Sequence, residues 1–326
     1  MELFNFYILI IFALKATAAE WDYNDTGSHG PAHWGGHCNK GSSQSPININ
    51  IDTSSTQTDL SLGDFTFTNY DKMNKYSYIA KNRGHKLVVL VNATDVKISG
   101  GGLVDSDYQL ALFHFHWGIS SSSGSEHTLN GKHAALEVHF VHFNKVHANF
   151  STAKHVTNGL AVLGFMFQVQ SDDNSALDFL FDHLTNVSNK DDEYTLPSAP
   201  PIDDMLESVN RTKYLRYSGS RSSPGCDESV QWTIFTESIP ISEAQLNKIR
   251  AMKSDTEGTT PIGHNNRPLQ HLNNRTIKIS YDPGTMHTSD DPGTTTISYD
   301  PGLSSADAIV TNVILLILSI VYSLCY

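Results

Sequence analysis

Basic residues are few: 22 Lys and Arg face 34 Asp and Glu among 326 residues, a formal charge of −12. That balance repels phosphate backbones, and no basic stripe interrupts it, so nucleic acid is excluded as a partner. Cysteine is scarcer still, with three in the whole chain, which rules out a disulfide-stapled mini-protein. Charged residues make up only 17% against 39% hydrophobic. A disordered chain is thereby excluded, and there is enough apolar side chain for a substantial core. No internal repeat breaks up the middle of the chain, so one large domain is expected over residues 19–280. What is abundant is histidine: sixteen, clustered in mid-chain, where metal or proton chemistry is to be sought first.

Both ends carry the marks of processing. The apolar run Phe6 to Leu14 is too short to span a bilayer and is followed by Ala16, Thr17, Ala18 and Ala19; residues 1–18 read as a secretory signal peptide, although Lys and Arg are missing before the run. Residues 308–326 are free of charge, about 28 Å as a helix. No Lys or Arg follows them, and Ser304, Ser305 and Ala306 precede them. Residues 306–326 therefore read as a GPI-anchor signal that is removed, with a single transmembrane helix as the alternative. The stretch 281–305, rich in Asp, Pro, Gly and Thr and with ISYDPG at both Ile279 and Ile297, reads as a stalk. Such a chain is expected on the extracellular face of the plasma membrane. Its N-x-[ST] sequons at Asn24, Asn92, Asn149, Asn186, Asn210 and Asn274 are then candidate glycosylation sites. With Cys325 in the removable tail, Cys38 and Cys226 are left as the pair to bridge in an oxidising compartment.

Between the ends the dominant pattern has period two. Lys86 to Val91, Tyr108 to Trp117, Ala135 to Phe143, Gly159 to Val169 and Val230 to Phe235 are β-branched and aromatic runs expected as strands. Only Ser175 to Asn186 and Ser242 to Met252 read as helical. The fold class expected is mainly β, within α+β: a large twisted, mostly antiparallel sheet with short peripheral helices. Strict alternation along the second run places Tyr108, Leu110, Leu112, His114 and His116 on one face and Phe113, Phe115 and Trp117 on the other. His139 lies on the next strong strand, and Glu137, two residues earlier, shares its face and can take the proton on the far ring nitrogen. Three neutral imidazoles suit tetrahedral Zn2+ with one open position, the arrangement of a catalytic rather than a structural zinc. Such a site ionises water near neutral pH for hydration or hydrolysis.

The runs FHFHWG (Phe113 to Gly118), GSEHT (Gly124 to Thr128) and AALEVHFVHFN (Ala134 to Asn144) resemble the α-class carbonic anhydrase family. The resemblance extends over residues 21–280, through GPAHW at Gly30, QSPI at Gln44, RGH at Arg83, GLAVLG at Gly159, YSGSRSSP at Tyr217 and NNRP at Asn265. It implies that His114, His116 and His139 hold zinc and that Glu137 orients His139. It further implies that Ser222 replaces a threonine whose hydroxyl accepts a hydrogen bond from zinc-bound hydroxide and donates one to a buried glutamate, here Glu126. His85 matches the proton shuttle, and Val141, Val162 and Trp232 match the apolar wall that receives CO2, with Arg221 and Ser223 beside them as substrate-contacting residues. His127, His133, His142 and His147 lie off the ligand positions and are expected to be structural or surface residues.

Three positions depart from the family pattern. Arg221 replaces a leucine at the pocket mouth, and a guanidinium there either narrows the pocket or turns outward; either way weaker CO2 capture is expected. Leu112 replaces a glutamine that supports the first ligand. Gly225 replaces a frequent proline and is expected to loosen the loop carrying Ser222. The implied function is reversible CO2 hydration by a membrane-anchored zinc enzyme; the alternative is a binding or adhesion module of the same fold.

Overall fold

The structure is a computed structural model that describes residues 21–51, 54–104 and 107–283. The signal-peptide reading, nearly all of the stalk and the C-terminal segment lie outside them. Among the described residues no helix is long and apolar enough to cross a membrane.

Ten strands run across the principal sheet: β1 Thr56–Thr58, β2 Ser77–Asn82, β3 Leu87–Asn92, β4 Tyr108–Trp117, β5 Leu136–Asn144, β6 Leu160–Gln170, β7 Glu193–Thr195, β8 Tyr214–Gly219, β9 Val230–Phe235 and β10 Ile277–Ile279. They are ordered β7-β2-β3-β4-β5-β6-β9-β8-β10-β1, and three further strands bring the sheet to thirteen. Pairing is antiparallel except where β6 runs parallel to β9 and to Ile239–Ser242, and β10 to β1. The mainly β class with few short helices is as expected. Strands β4, β5 and β6, the longest, occupy the middle because both faces are buried, so their sequences stay apolar nearly throughout.

One face packs Phe113, Phe115, Trp117, Leu136, Val138, Phe140, Phe165 and Phe167 into the main core. The other packs Val141, Val162, Trp232, Leu215 and Tyr217 into a smaller cluster, and the histidine site is built on this second face. The expected alternation fails at one point. Val141 pairs with Leu112 but His142 pairs with Leu110, leaving Ala111 as an extra residue on β4. This bulge turns Tyr108 and Leu110 into the main core with Phe113, while Leu112, His114 and His116 keep the face expected of them.

The helical expectations are met unequally. Ser242 forms a capping box with Gln245 ahead of the helix Glu243–Arg250. Over 175–186 the chain forms short turns instead, Ser175–Leu177, Asp178–Phe181 and Leu184–Val187. Leu177, Leu180, Phe181, Leu184 and Val187 anchor these turns in the core, but the intervening Asp182, His183, Thr185 and Asn186 are poor at sustaining a helix.

His142 belongs to the main-core face and is fully buried. Its Nδ1 lies 3.1 and 3.2 Å from the carbonyls of Phe140 and Ala161, so Nδ1 carries the proton and Nε2 accepts from the Tyr70 hydroxyl at 2.5 Å. Burial holds this imidazole down at about 3, against the pull of the two carbonyls. Between pH 6.5 and 3 the unfolded chain binds a proton that the native state refuses, so stability falls as pH falls, by about 1.4 kcal/mol per pH unit. His142→Gln is expected to flatten the stability profile between pH 6 and 4 by that amount in urea titrations; an unchanged slope would contradict it.

Candidate metal centre

Adjacent antiparallel strands set the histidines opposite one another: His139 pairs with His114, and His116 with Glu137. The three imidazoles of His114, His116 and His139 bring one nitrogen each within 4.8 Å of the others. His116 and His139 are fully buried and His114 is 9% exposed. Each far nitrogen decides which near nitrogen is free. Glu137 Oε1 takes the His139 Nε2 proton at 2.7 Å, so Nδ1 of His139 faces inward, 3.3 Å from Nε2 of His114. The Asn265 carbonyl takes the His116 Nδ1 proton at 2.8 Å, and Nε2 of His116 has no partner among the described residues. A buried acceptor nitrogen without a donor is costly unless something electrophilic meets it. The donor set, three neutral nitrogens on rigid strands, fits zinc.

Electrostatics support the neutral state that a ligand requires. Burial lowers the pKa of all three, helped at His114 by the nearby Lys86 and at His116 by His139. Burial pushes the Glu137 carboxyl up, but His127 and His139 together outweigh it and hold the group well below the carboxylate range. Glu137 Oε2 also accepts the backbone N–H groups of Glu126 and His127, both at 2.9 Å. Opposite His139 stands Gly164, where a Cβ would lie 3.1 Å from Glu137 Oε1 and 2.7 Å from Ile234; the glycine leaves Glu137 the room it occupies.

His127 is more than a bystander. It is fully buried, with Nδ1 2.8 Å from Glu137 Oε1 and Nε2 2.6 Å from the Tyr217 hydroxyl. Glu137 thus bridges two histidines, and Tyr217 passes the chain on to Ser45 at 2.9 Å. The sequence signal was available, because Tyr217 and Ser45 lie in the quoted YSGS and QSPI runs, but their contact joins residues 172 positions apart.

Glu126 lies behind the trio, its Oε1 3.4 Å from His116 Nδ1 and accepting the Arg267 N–H at 3.0 Å. Burial pushes its carboxyl up to about 8, against the Ser222 hydroxyl and the Arg267 N–H, which draw it down. In front of the trio opens a cavity of about 180 Å3 lined by His114, His139, Ser222, Ser223, Arg221, Val141, Val162 and Trp232, together with Lys86, Leu112 and Phe150. Every residue expected against substrate therefore lines one cavity. His85 does not: it stacks on Trp21 with ring centroids 4.0 Å apart and lines a separate hollow with Arg83 and Lys190. Burial, and then the charges of Lys86, Lys190 and Arg83, hold it down at about 3.

Lys86 was not foreseen as a cavity residue. Burial, with Arg221 next, lowers its ammonium to about 8, and its position directly after the RGH motif was the clue in the sequence. Leu112 leaves a visible mark, since Nδ1 of His114 is buried with no partner among the described residues. Leu112→Gln restores an amide on the same face of β4 and is expected to tighten zinc binding about tenfold. Chelator competition measures this, and an unchanged affinity would place the support of His114 elsewhere. The loop carrying Ser222 is also tighter than its glycine suggested. Cys226 N–H donates to Ser223 O and Arg221 N–H to Asp227 O, both at 3.0 Å, and Cys226 is bridged to Cys38.

A family model described as eukaryotic-type carbonic anhydrase matches residues 29–281. The chain is 33% identical over 289 residues to "Carbonic anhydrase 15" of Mus musculus, an alignment covering 85% of this chain and 88% of the relative. It is 35% identical over 288 residues to "Carbonic anhydrase 4" of Rattus norvegicus, covering 85% and 91%. To "Carbonic anhydrase 1" of Oryctolagus cuniculus it is 34% identical over 244 residues, covering 74% of this chain and all of the relative. Since the matched region runs through every strand that bears an inward-facing histidine and on to the end of β10, this chain belongs to the eukaryotic-type carbonic anhydrase family.

Proposed function

We propose that the protein is an extracellular, membrane-anchored zinc carbonic anhydrase that interconverts CO2 and bicarbonate. The observation that carries this reading is the trio of neutral, inward-facing imidazole nitrogens, of which His114 and His139 line a small cavity with apolar walls. Zinc bound there supplies a water acidic enough to act as a nucleophile near neutral pH. Val141, Val162 and Trp232 offer an uncharged molecule a dry surface beside the trio. Ser222 lines the cavity beside the buried Glu126 carboxyl, whose Oε2 has no hydrogen-bond partner among the described residues; a hydroxyl turned toward that oxygen would present its lone pair to a proton in the cavity and so orient the nucleophile. In this reading His85, stacked on Trp21 outside the cavity, is the imidazole that relays the proton outward. Lys86 places positive charge in the cavity wall, which favours the anionic product.

The anchoring part of the proposal rests on the uncharged C-terminal segment and the small residues before it. All six sequon asparagines are exposed, as glycan acceptors need to be. Stopped-flow CO2 hydration by the secreted domain, with zinc measured on the same sample, tests the enzyme: stoichiometric zinc without hydration would favour a binding module, and absence of zinc would overturn the ligand assignment. Release from intact cells by a phosphatidylinositol-specific phospholipase tests the lipid anchor, and retention would favour a spanning helix.

A further inference from the structure

Two departures from the family pattern, Arg221 and Gly225, meet at one carboxylate. Arg221 Nη1 donates to Asp227 Oδ2 at 3.1 Å and Nη2 to the Pro224 carbonyl at 3.3 Å. The backbone N–H of Arg221 donates to the Asp227 carbonyl at 3.0 Å, so side chain and main chain are tied to the same residue. His155 Nδ1 lies 2.9 Å from the other carboxylate oxygen, Oδ1. The side chains of Arg221 and Asp227 are 25% and 15% exposed, a partly desolvated pair that holds its geometry better than a surface ion pair.

Gly225 makes this arrangement possible. Its φ of +99° is closed to proline and strained for any side-chain-bearing residue. A Cβ there would stand 2.9 Å from Arg221 Nη1 and 3.1 Å from Asp227 Oδ2, in the path the guanidinium takes to the carboxylate. Without Asp227, a charged group next to Ser222 would be free to turn over Val141, Val162 and Trp232, and would hold water or an anion where an uncharged substrate must lie.

We propose that Asp227 is a positioning residue, with Gly225 as its spacer: it draws Arg221 to the loop side of the cavity and so keeps the pocket apolar in a chain that lacks an apolar residue at 221. The proposal rests on the reading of this cavity as the CO2 site. It also relates the two departures, since an arginine at 221 is tolerable when 225 is glycine and 227 is acidic.

A double-substitution cycle on the zinc-loaded secreted domain tests it. Asp227→Asn is expected to lower kcat/KM for CO2 hydration about tenfold and to strengthen inhibition by chloride by a similar factor, with zinc content unchanged. In the Arg221→Leu background the same substitution is expected to change neither quantity. A loss that persists without Arg221 would mean that Asp227 acts only on loop structure, and would overturn the proposal; so would the absence of any effect in the Arg221 background. Two measurements on metal-free protein do not depend on catalysis. The shifts in melting temperature of the two single substitutions should be less than additive in the double variant, and additivity would overturn the pairing. In the unmodified protein the Arg221 Nη protons should show slowed rotation by NMR, and a freely averaging guanidinium would overturn it as well. If the unmodified enzyme fails to hydrate CO2, the functional reading falls, while the melting cycle and the NMR measurement still decide the pairing.

Discussion

His116→Ala is expected to strip the purified domain of zinc and to lower CO2 hydration by more than about a thousandfold, equivalent to about 4 kcal/mol of barrier. The reason lies in the pairing around that ring. His116 is fully buried, its Nδ1 is committed to the Asn265 carbonyl, and its Nε2 is left with no partner among the described residues. An imidazole held in that tautomer by a main-chain acceptor is a ready metal ligand. Removing it leaves two nitrogens, too few for a closed tetrahedral set with one solvent position. The fold should survive, because β4 keeps its ladder with β5, and the penalty is an unpaired Asn265 carbonyl, about 1–3 kcal/mol, together with the cavity left by the ring. Metal analysis and stopped-flow rates on one sample decide the matter. Full zinc occupancy in the alanine variant would remove His116 from the ligand set.

The second large effect concerns stability. Replacing Cys38 and Cys226 together by serine is expected to destabilise the domain by about 5 kcal/mol and to lower its melting temperature by about 10 °C, since the bridge closes a loop of very large span. The two cysteines are 188 positions apart and are bridged with Cα atoms 5.0 Å apart. The loss should also reach the site. Cys226 is four positions beyond Ser222, and Gln44 Nε2 donates to its carbonyl at 3.1 Å while Arg267 Nη2 donates to the Cys38 carbonyl at 2.8 Å. Arg267 in turn presents its N–H to Glu126. Activity is therefore expected to fall before global unfolding as temperature rises. Parallel loss of activity and near-ultraviolet circular dichroism would show instead that the bridge stabilises the domain without any local hold on the Ser222 loop.

How much of the site could be read from the sequence differs from residue to residue, for identifiable reasons. His114, His116, Glu137 and His139 were legible because strand alternation is local: two residues per repeat decide a face, and neighbouring antiparallel strands need only a hairpin-like return to bring the faces together. The same rule misplaced Tyr108 and Leu110, because a bulge at Ala111 depends on how β5 pairs with β4 and leaves no mark in β4 itself. Resemblance supplied Glu126, Ser222 and the apolar wall, and these do gather around the trio. Resemblance could not say that His127 would complete the hydrogen bonding of Glu137, or that His85 would stack on Trp21 outside the metal cavity.

By itself, then, the amino-acid order determined the strand periodicity, the identity of the inward-facing histidines and the mainly β class. Each of these follows from backbone geometry repeated over a few neighbouring residues. The tertiary structure alone decided which way Arg221 turns, which atoms of His116 and His139 remain free, and which lysine enters the cavity. Those outcomes are set by contacts such as Arg221 with Asp227 across a glycine of positive φ, or His116 with a carbonyl 149 positions away. Such contacts exist only once the sheet has brought distant segments within hydrogen-bonding reach.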